Sequence, residues 1–402
     1  MNIDDIINSI DSNNLDIAFG RVVNISAVTL SAVGLDVAVG DIVRIESAQK
    51  LYTVLGMVTV LKDGLFVIVP FSFIDGFKIN DKVFLQRDGL TVKCGNGLLG
   101  RVVNALGDPI DDLGKIRDLD TNAPINKESR LPLDRGIIDQ KFATGVKAID
   151  SMLTCGKGQK VGIFAGSGVG KSTLMGMIVQ GCEATIKVIA LVGERGREIP
   201  EFIHYNLNNN LENTVIVTAT SDESPLMRKY AAFTAMTIAE YFRDKGYDVL
   251  LMMDSVTRFA MAQREIGLST GEPPVSRGYP PSVFALLPQL MERAGNSKKG
   301  SITAFFTVLV DGDDLNDPIA DQSRSILDGH IVLTRDLTEQ GFYPPINILK
   351  SASRVIDKVV TKEHYNAFLK LKRVLALIKE NEVLRRVGAY KKGMDLELDN
   401  AI

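Results

Sequence analysis

Residues 161–164, Val-Gly-Ile-Phe, run straight into Ala165-Gly166-Ser167-Gly168-Val169-Gly170-Lys171-Ser172-Thr173, and the helix-prone LMGMIVQ comes next. An apolar strand that turns through three glycines and re-emerges as a helix reads as a phosphate cradle. The glycines let backbone N–H groups point inward at a polyphosphate, and the helix adds its positive amino end. Lys171 is placed to reach the β- and γ-phosphates and Ser172 to offer its hydroxyl to Mg²⁺. The first position of the pattern is Ala165 rather than glycine, which the motif tolerates.

Around this loop the chain reads as α/β. Strand-like runs at 160–165, 187–193, 214–220, 248–254, 301–310 and 330–334 are almost wholly apolar and alternate with helical stretches. That is the pattern of a parallel sheet covered on both faces. Ligands of such sheets sit at the carboxyl ends of the strands. Lys171, Glu194, Asp254 and Asp311 all fall just after such ends.

The flanks differ. From about Gly20 to Leu90, short β-rich runs are punctuated by Gly40-Asp41, Asp63-Gly64, Asp75-Gly76 and Asp88-Gly89, which predicts a small barrel or sandwich. The apolar register of Val23 and Ile25 slips by one before Val28 and Leu30, as at a bulge. Gly95 to Pro132 reads as a connector. Ile3, Ile6, Ile7 and Ile10 form one helical stripe, suited to docking on its own domain or on a partner. After Thr361, Tyr365, Phe368, Leu371, Leu375 and Ile378 form a second stripe, read as core packing.

With 402 residues, two or three domains are expected. No apolar stretch nears the roughly 20 residues that span a bilayer, and the first residues lack a signal-peptide pattern, so a soluble cytoplasmic protein is expected. Cys94, Cys155 and Cys182 have no CxxC spacing, which fits a reducing compartment rather than a disulfide or zinc framework. A net charge of −3 gives no general attraction to nucleic acid or anionic lipid.

Phosphoryl transfer needs a second metal anchor, a group that orients water, and positive charge beyond the γ-phosphate. Asp254 ends the run DVLLMMD and suits the metal, with helix capping as the competing role. Glu194, in GERGRE, suits the water, with an ion pair to Arg195 or Arg197 as the alternative. For the remote cation, Arg195, Arg258, Arg324 and Arg354 are candidates that spacing does not rank. Tyr343, braced by Pro344 and Pro345, suits stacking on adenine or a plain turn. The acidic stretch 311–318 reads either as a mobile loop near the working edge or as a solvated one. His204, His330 and His364 show no ligand spacing.

Taken together, TGVKAID (144–150), AGSGVGKST, GERGREIPEF (193–202), DSVTRFAMAQREIGL (254–268), GEPPVSRGYPPSVFALLPQLMERAG (271–295), GSITAFFTVLVDGDDLNDPIAD (300–321), SILDGHIVL (325–333) and SASRV (351–355) resemble the ATPase of flagellar and type III protein export. That family is related to the catalytic subunit of rotary ATP synthases. The resemblance implies an N-terminal segment and β-barrel over 1–92, a connector and RecA-like P-loop NTPase domain over 93–360, and a C-terminal helical domain over 361–402. It implies an active Mg²⁺-dependent ATPase in a homohexameric ring. Gly166 to Thr173 would cradle the phosphates, Ser172 and Asp254 the metal, and Tyr343 the adenine. Glu194 would be the catalytic carboxylate supported by Arg195 and Glu198, and Arg354 would enter the neighbouring subunit's site.

Implied partners are a stator-like regulator on the N-terminal segment, a coiled-coil stalk, the membrane export gate and chaperone-bound substrates, at the inner-membrane export apparatus and without nucleic acid. Related proteins continue past Ile402, so a truncated or naturally short C-terminal domain is expected. A rotary ATP synthase catalytic subunit and a Rho-like RNA translocase are the competing readings. The latter calls for basic residues interleaved with aromatics on the barrel, whereas the stretch from Gly20 to Leu90 is aliphatic and mixed in charge.

Overall fold

A computed structural model describes residues 18–47, 52–128, 131–310, 314 and 316–402. The Ile3–Ile10 stripe, Asp311 and part of the acidic stretch lie outside these residues.

The first unit is a closed barrel of β1 (Phe19–Ile25), β2 (Leu30–Val33), β3 (Ile42–Glu46), β4 (Thr53–Lys62), β5 (Leu65–Pro70) and β6 (Lys82–Gln86), ordered β1-β2-β5-β4-β3-β6. Alternate residues point inward, so Val22, Leu30, Ala32, Val43, Ile45, Val58, Phe66, Ile68 and Val83 fill the interior. Asp63 (φ 51°) and Gly64 (φ 76°) form the tight turn between β4 and β5, and positive φ at both central residues is what such a hairpin requires. The register slip falls inside β1, between Val22 and Asn24. Beyond Ile25 the strand gives way to a turn closed by Ser26 N–H on the Thr29 carbonyl. Val23 and Val28 are therefore outside, at 37% and 46% exposure.

The main sheet is built as expected from near-continuous apolar strands. Its order across the sheet is Ala352–Ser353, Gly329–Val332, Lys160–Ala165, Ser301–Leu309, Asp248–Asp254, Ile186–Glu194, Thr214–Thr220 and Val102–Val103. All neighbours are parallel except Ala352–Ser353 at one edge and a short Gly295–Asn296 branch. The connector expectation needs correcting, because Val102 and Val103 pair with Ile216 and Val217 and complete the sheet. A two-residue strand has no periodicity of its own, and only its partner makes it one.

Helices cover both faces. The longest, Pro225–Asp244, begins with Pro225 at its first position and Ser224 accepting from Met227 N–H. Its far end holds a buried ion pair: Glu240 receives two hydrogen bonds from Arg293, which also donates to the Ile125 carbonyl and the Thr237 hydroxyl. Side-chain exposure is 1% for Arg293 and 5% for Glu240. Arg293→Met leaves buried Glu240 with only the longer 3.8 Å contact to Arg243 and no hydrogen bond from an arginine, so it is expected to cost about 3–5 kcal/mol in urea unfolding. A cost below about 1 kcal/mol would show that Glu240 finds another partner.

The C-terminal helix Lys362–Glu380 is capped by Thr361 and tied to the core where His364 Nε2 donates to the Ser151 carbonyl at 2.7 Å. Its apolar stripe is less buried than expected. Phe368 and Leu375 pack on the core, but no residue of the helix is fully buried and Leu371 is 46% exposed. The helix meets mainly short helices, chiefly Leu396–Ala401 with its buried Leu398, and no strand of the sheet is among its main contacts, so much of the stripe stays only half-buried. Cys94, Cys155 and Cys182 are free thiols.

Candidate functional site

The strand Lys160–Ala165 is fully buried, and the loop after it opens on the carboxyl edge of the sheet. Gly168 (φ 76°) and Gly170 (φ 91°) occupy the left-handed region, where a side chain would be strained. Val169, 1% exposed, plugs the loop into the core. The helix Lys171–Gly181 starts at Gly170 with no side-chain cap and no acid in its first turn. Its leading N–H groups are thus left to an anion, and the helix dipole favours one.

Lys171 Nζ lies 2.5 Å from Asp254 Oδ1 and 3.6 Å from Glu194 Oε1. The Thr307 hydroxyl donates to the same Asp254 oxygen at 2.7 Å, fixing that carboxylate from the neighbouring strand. Burial alone would drive Lys171 towards its neutral form, but Asp254 and Glu194 outweigh it and hold the ammonium charged. For Glu194, burial pushes the carboxyl pKa up; Lys171 and Arg258 oppose this, while Asp254 and Glu198 add to it. The net direction is upward. Glu194 Oε1 is buried without a hydrogen-bond partner, since 3.6 Å is a Coulombic contact and not a hydrogen bond.

Ser172, Glu194, Glu198, Asn206 and Asp254 line one cavity of about 180 Å³. Among the described residues Lys171 is the one cation in contact with the Glu194 and Asp254 carboxylates, so added positive charge on an entering triphosphate favours its binding. A hydroxyl and a carboxylate on one cavity are the hard oxygen donors that suit Mg²⁺, which keeps waters and phosphate oxygens as its other ligands. The residues fit that ion.

The other expected residues take varied places. Arg195 pairs with Glu198 and Arg197 with Glu201, each at 3.6 Å, so neither takes Glu194 as its partner. The stem of Arg258 covers Gly193, within 3.0 Å of where a Cβ there would stand, and its buried Nε has no hydrogen-bond partner. Arg324 pairs with Asp321. Tyr343, 63% exposed, and Pro345 flank Gly170, each 3.9 Å from a Cβ placed there. Arg354 is exposed and donates to the Arg324 carbonyl. It comes after Ser353, which pairs with Gly329, itself beside Val161 at the start of the phosphate-loop strand. Arg354 therefore sits at the amino edge of the sheet, away from Lys171.

Sequence reasoning missed Thr307 and Arg335, whose guanidinium donates to the Ser167 carbonyl at 3.2 Å. Thr307 is one of three hydroxyl residues in its strand, with Ser301 and Thr303, and nothing local singles it out because its partner lies 53 residues away.

Fold and site define a P-loop nucleotide-binding protein with a barrel ahead of its α/β core. The ATP synthase alpha/beta family, nucleotide-binding domain, matches residues 145–353, and the T3SS EscN ATPase C-terminal domain matches 360–402. The flagellum-specific ATP synthase of Helicobacter pylori is 60% identical over 96% of this chain and 88% of its own length. The assembled ATPase EscN of the enteropathogenic E. coli type III secretion system superposes with a TM-score of 0.90 at 47% identity, covering 95% of this chain and 92% of that one. EscN in complex with its central stalk EscO gives 0.87 at 46%, with the same coverage. The chain belongs to the ATP synthase alpha/beta family, within its branch of flagellar and type III secretion ATPases. No helix among the described residues is long and apolar enough to cross a membrane.

Proposed function

We propose that this ATPase hydrolyses Mg²⁺-bound ATP to energise the export of flagellar or other type III secreted proteins, as a ring of six identical subunits with nucleotide at their interfaces. The observation that carries the reading is the Lys171–Asp254–Glu194 cluster at the mouth of the phosphate loop, with a buried Glu194 oxygen left unpartnered.

The loop from Gly166 to Thr173 binds the polyphosphate, and Lys171 turns from Asp254 to the γ-phosphate as it enters. Ser172 and Asp254 would hold Mg²⁺, which would supply positive charge against the phosphate oxygens. Glu194 accepts a hydrogen bond from the attacking water and aligns it with the γ-phosphorus. Arg195 and Glu198 keep the outer wall of the cavity in place, and Tyr343 stacks on adenine. Arg354 supplies the remaining cation to a neighbour's site, a reading supported by its place on the amino edge of its own sheet. The similarity to EscN, solved as an assembled ATPase and in complex with a central stalk, supports a ring with a stalk partner here. A regulator on the N-terminal segment, an export gate and substrate chaperones complete the proposed partners, at the cytoplasmic face of the inner membrane.

The barrel gathers Phe19 and Phe84 with Arg21, Arg44 and Lys82, so the stretch read as aliphatic and mixed in charge also sets aromatics beside basic residues. Against RNA translocation, each of these rings already has one of the chain's own cations over it, although Phe19 keeps 37% exposure.

Mixing Arg354→Ala chains with Lys171→Ala chains tests the whole arrangement. Each alone is expected to be nearly inactive, and the mixture should regain activity at interfaces that combine two intact halves, in an assay whose rate rises steeply with protein concentration and does not respond to RNA. No recovery under conditions where rings form would remove the trans arginine.

A further inference from the structure

Between the Glu194 loop and the phosphate-loop helix runs one side chain that the mechanism leaves unused. After Glu194 the chain makes the short helix Glu198–Glu201 and then a single π-helical turn, Phe202–Asn206. An extra residue in a helix rotates everything beyond it by about 100°, and such turns recur at functional sites. Here the rotation aims Asn206 at the phosphate-loop helix. Its Nδ2 donates to the Ser172 carbonyl at 3.1 Å. Its own carbonyl accepts from Gln180 Nε2 at 2.6 Å. Asn206 is thus bonded to both the second and the tenth residue of the helix Lys171–Gly181.

The contact is close enough to dictate a third residue. A Cβ on Gly176 would lie 2.8 Å from both Cβ and Nδ2 of Asn206 and 3.2 Å from its Cα. Gly176 has no positive φ to explain it, and glycine in a helix interior is unfavourable relative to alanine. Close approach of Asn206 is what it permits.

We infer that Asn206 is a positioning residue for ATP hydrolysis. It clamps the segment carrying Glu194 and Glu198 to the helix carrying Lys171 and Ser172, so that the carboxylate and the phosphate cradle stay in register across the cavity that Ser172, Glu194 and Asn206 all line. This rests on the proposed roles of Lys171 and Glu194. The Asn206 amide is the operative group: it can donate to a carbonyl, and a carboxylate of the same shape cannot.

The test uses the full chain with Asn206→Asp, Asn206→Gly, Gly176→Ala and the double variant Gly176→Ala/Asn206→Gly. Binding stoichiometry and Kd for a fluorescent ATP analogue give the number of competent sites, and kcat is expressed per competent site. Asn206→Asp and Gly176→Ala are expected to lower that kcat about tenfold, with stoichiometry unchanged and Kd and KM within about threefold. The double variant should be no worse than Asn206→Gly. A merely structural role would reduce stoichiometry or melting temperature instead. Wild-type kcat in Asn206→Asp, or loss of sites rather than of kcat per site, would overturn the inference. If Lys171→Ala keeps wild-type affinity in the same assay, the underlying site assignment fails instead.

Discussion

Glu194→Gln is expected to bind Mg²⁺-ATP as tightly as the wild type and to hydrolyse it about 10²- to 10⁴-fold more slowly, the range that a positioned base contributes. The amide keeps the shape of the side chain but loses the acceptor that would orient water. Because burial raises the Glu194 pKa, the group is protonated, and idle, at pH values where an ordinary glutamate still works. The acid limb of kcat/KM should therefore lie above the usual glutamate range and should not survive in Glu194→Gln. The stability linkage has the opposite sign to that of a typical paired carboxylate. A raised folded pKa means that the native state binds the extra proton, so the buried charge is a cost above that pKa, relieved as pH falls towards the unfolded value. Nucleotide-free Glu194→Gln should then melt no lower than the wild type at neutral pH. Turnover within threefold of wild type would move the water-orienting role to another residue.

Lys171→Ala should weaken ATP binding at least about a hundredfold, from loss of a charge-assisted contact worth about 1.5–3 kcal/mol together with the resulting repulsion. Without the ammonium, Asp254 and Glu194 face the incoming phosphates with only the more distant Arg258 charge to offset them. One of them is then expected to take up a proton at higher pH, as like charges at close range require. Calorimetric titration with a nonhydrolysable analogue, beside a melting curve to confirm the fold, measures both effects. Retained affinity would sink the phosphate assignment.

Much of this centre is local and so was readable in order along the chain. The loop is a contiguous motif whose glycines, lysine and serine act through backbone conformation, and each carboxylate closes an apolar run. Its remainder was not readable for a definite reason. The strand ending in Glu194 is next after the phosphate loop in sequence, yet in space the strands ending in Asp254 and Leu309 stand between them. Thr307 and Arg335 act on Asp254 and Ser167 through hydrogen bonds that no spacing encodes. The two-residue strand Val102–Val103 is defined by its pairing with a distant strand, and the contact of Asn206 with Ser172 joins residues 34 positions apart.

By itself, then, the sequence determined the strand–loop–helix cradle, the parallel class of the sheet and the barrel ahead of it, because glycine conformations, apolar period and turn pairs act over a few residues. Tertiary structure decided which strands lie side by side, how one ammonium is shared between two acids, and at which edge Arg354 emerges. Those depend on contacts between residues tens to hundreds of positions apart, where the free energy of burial and pairing outweighs local preference.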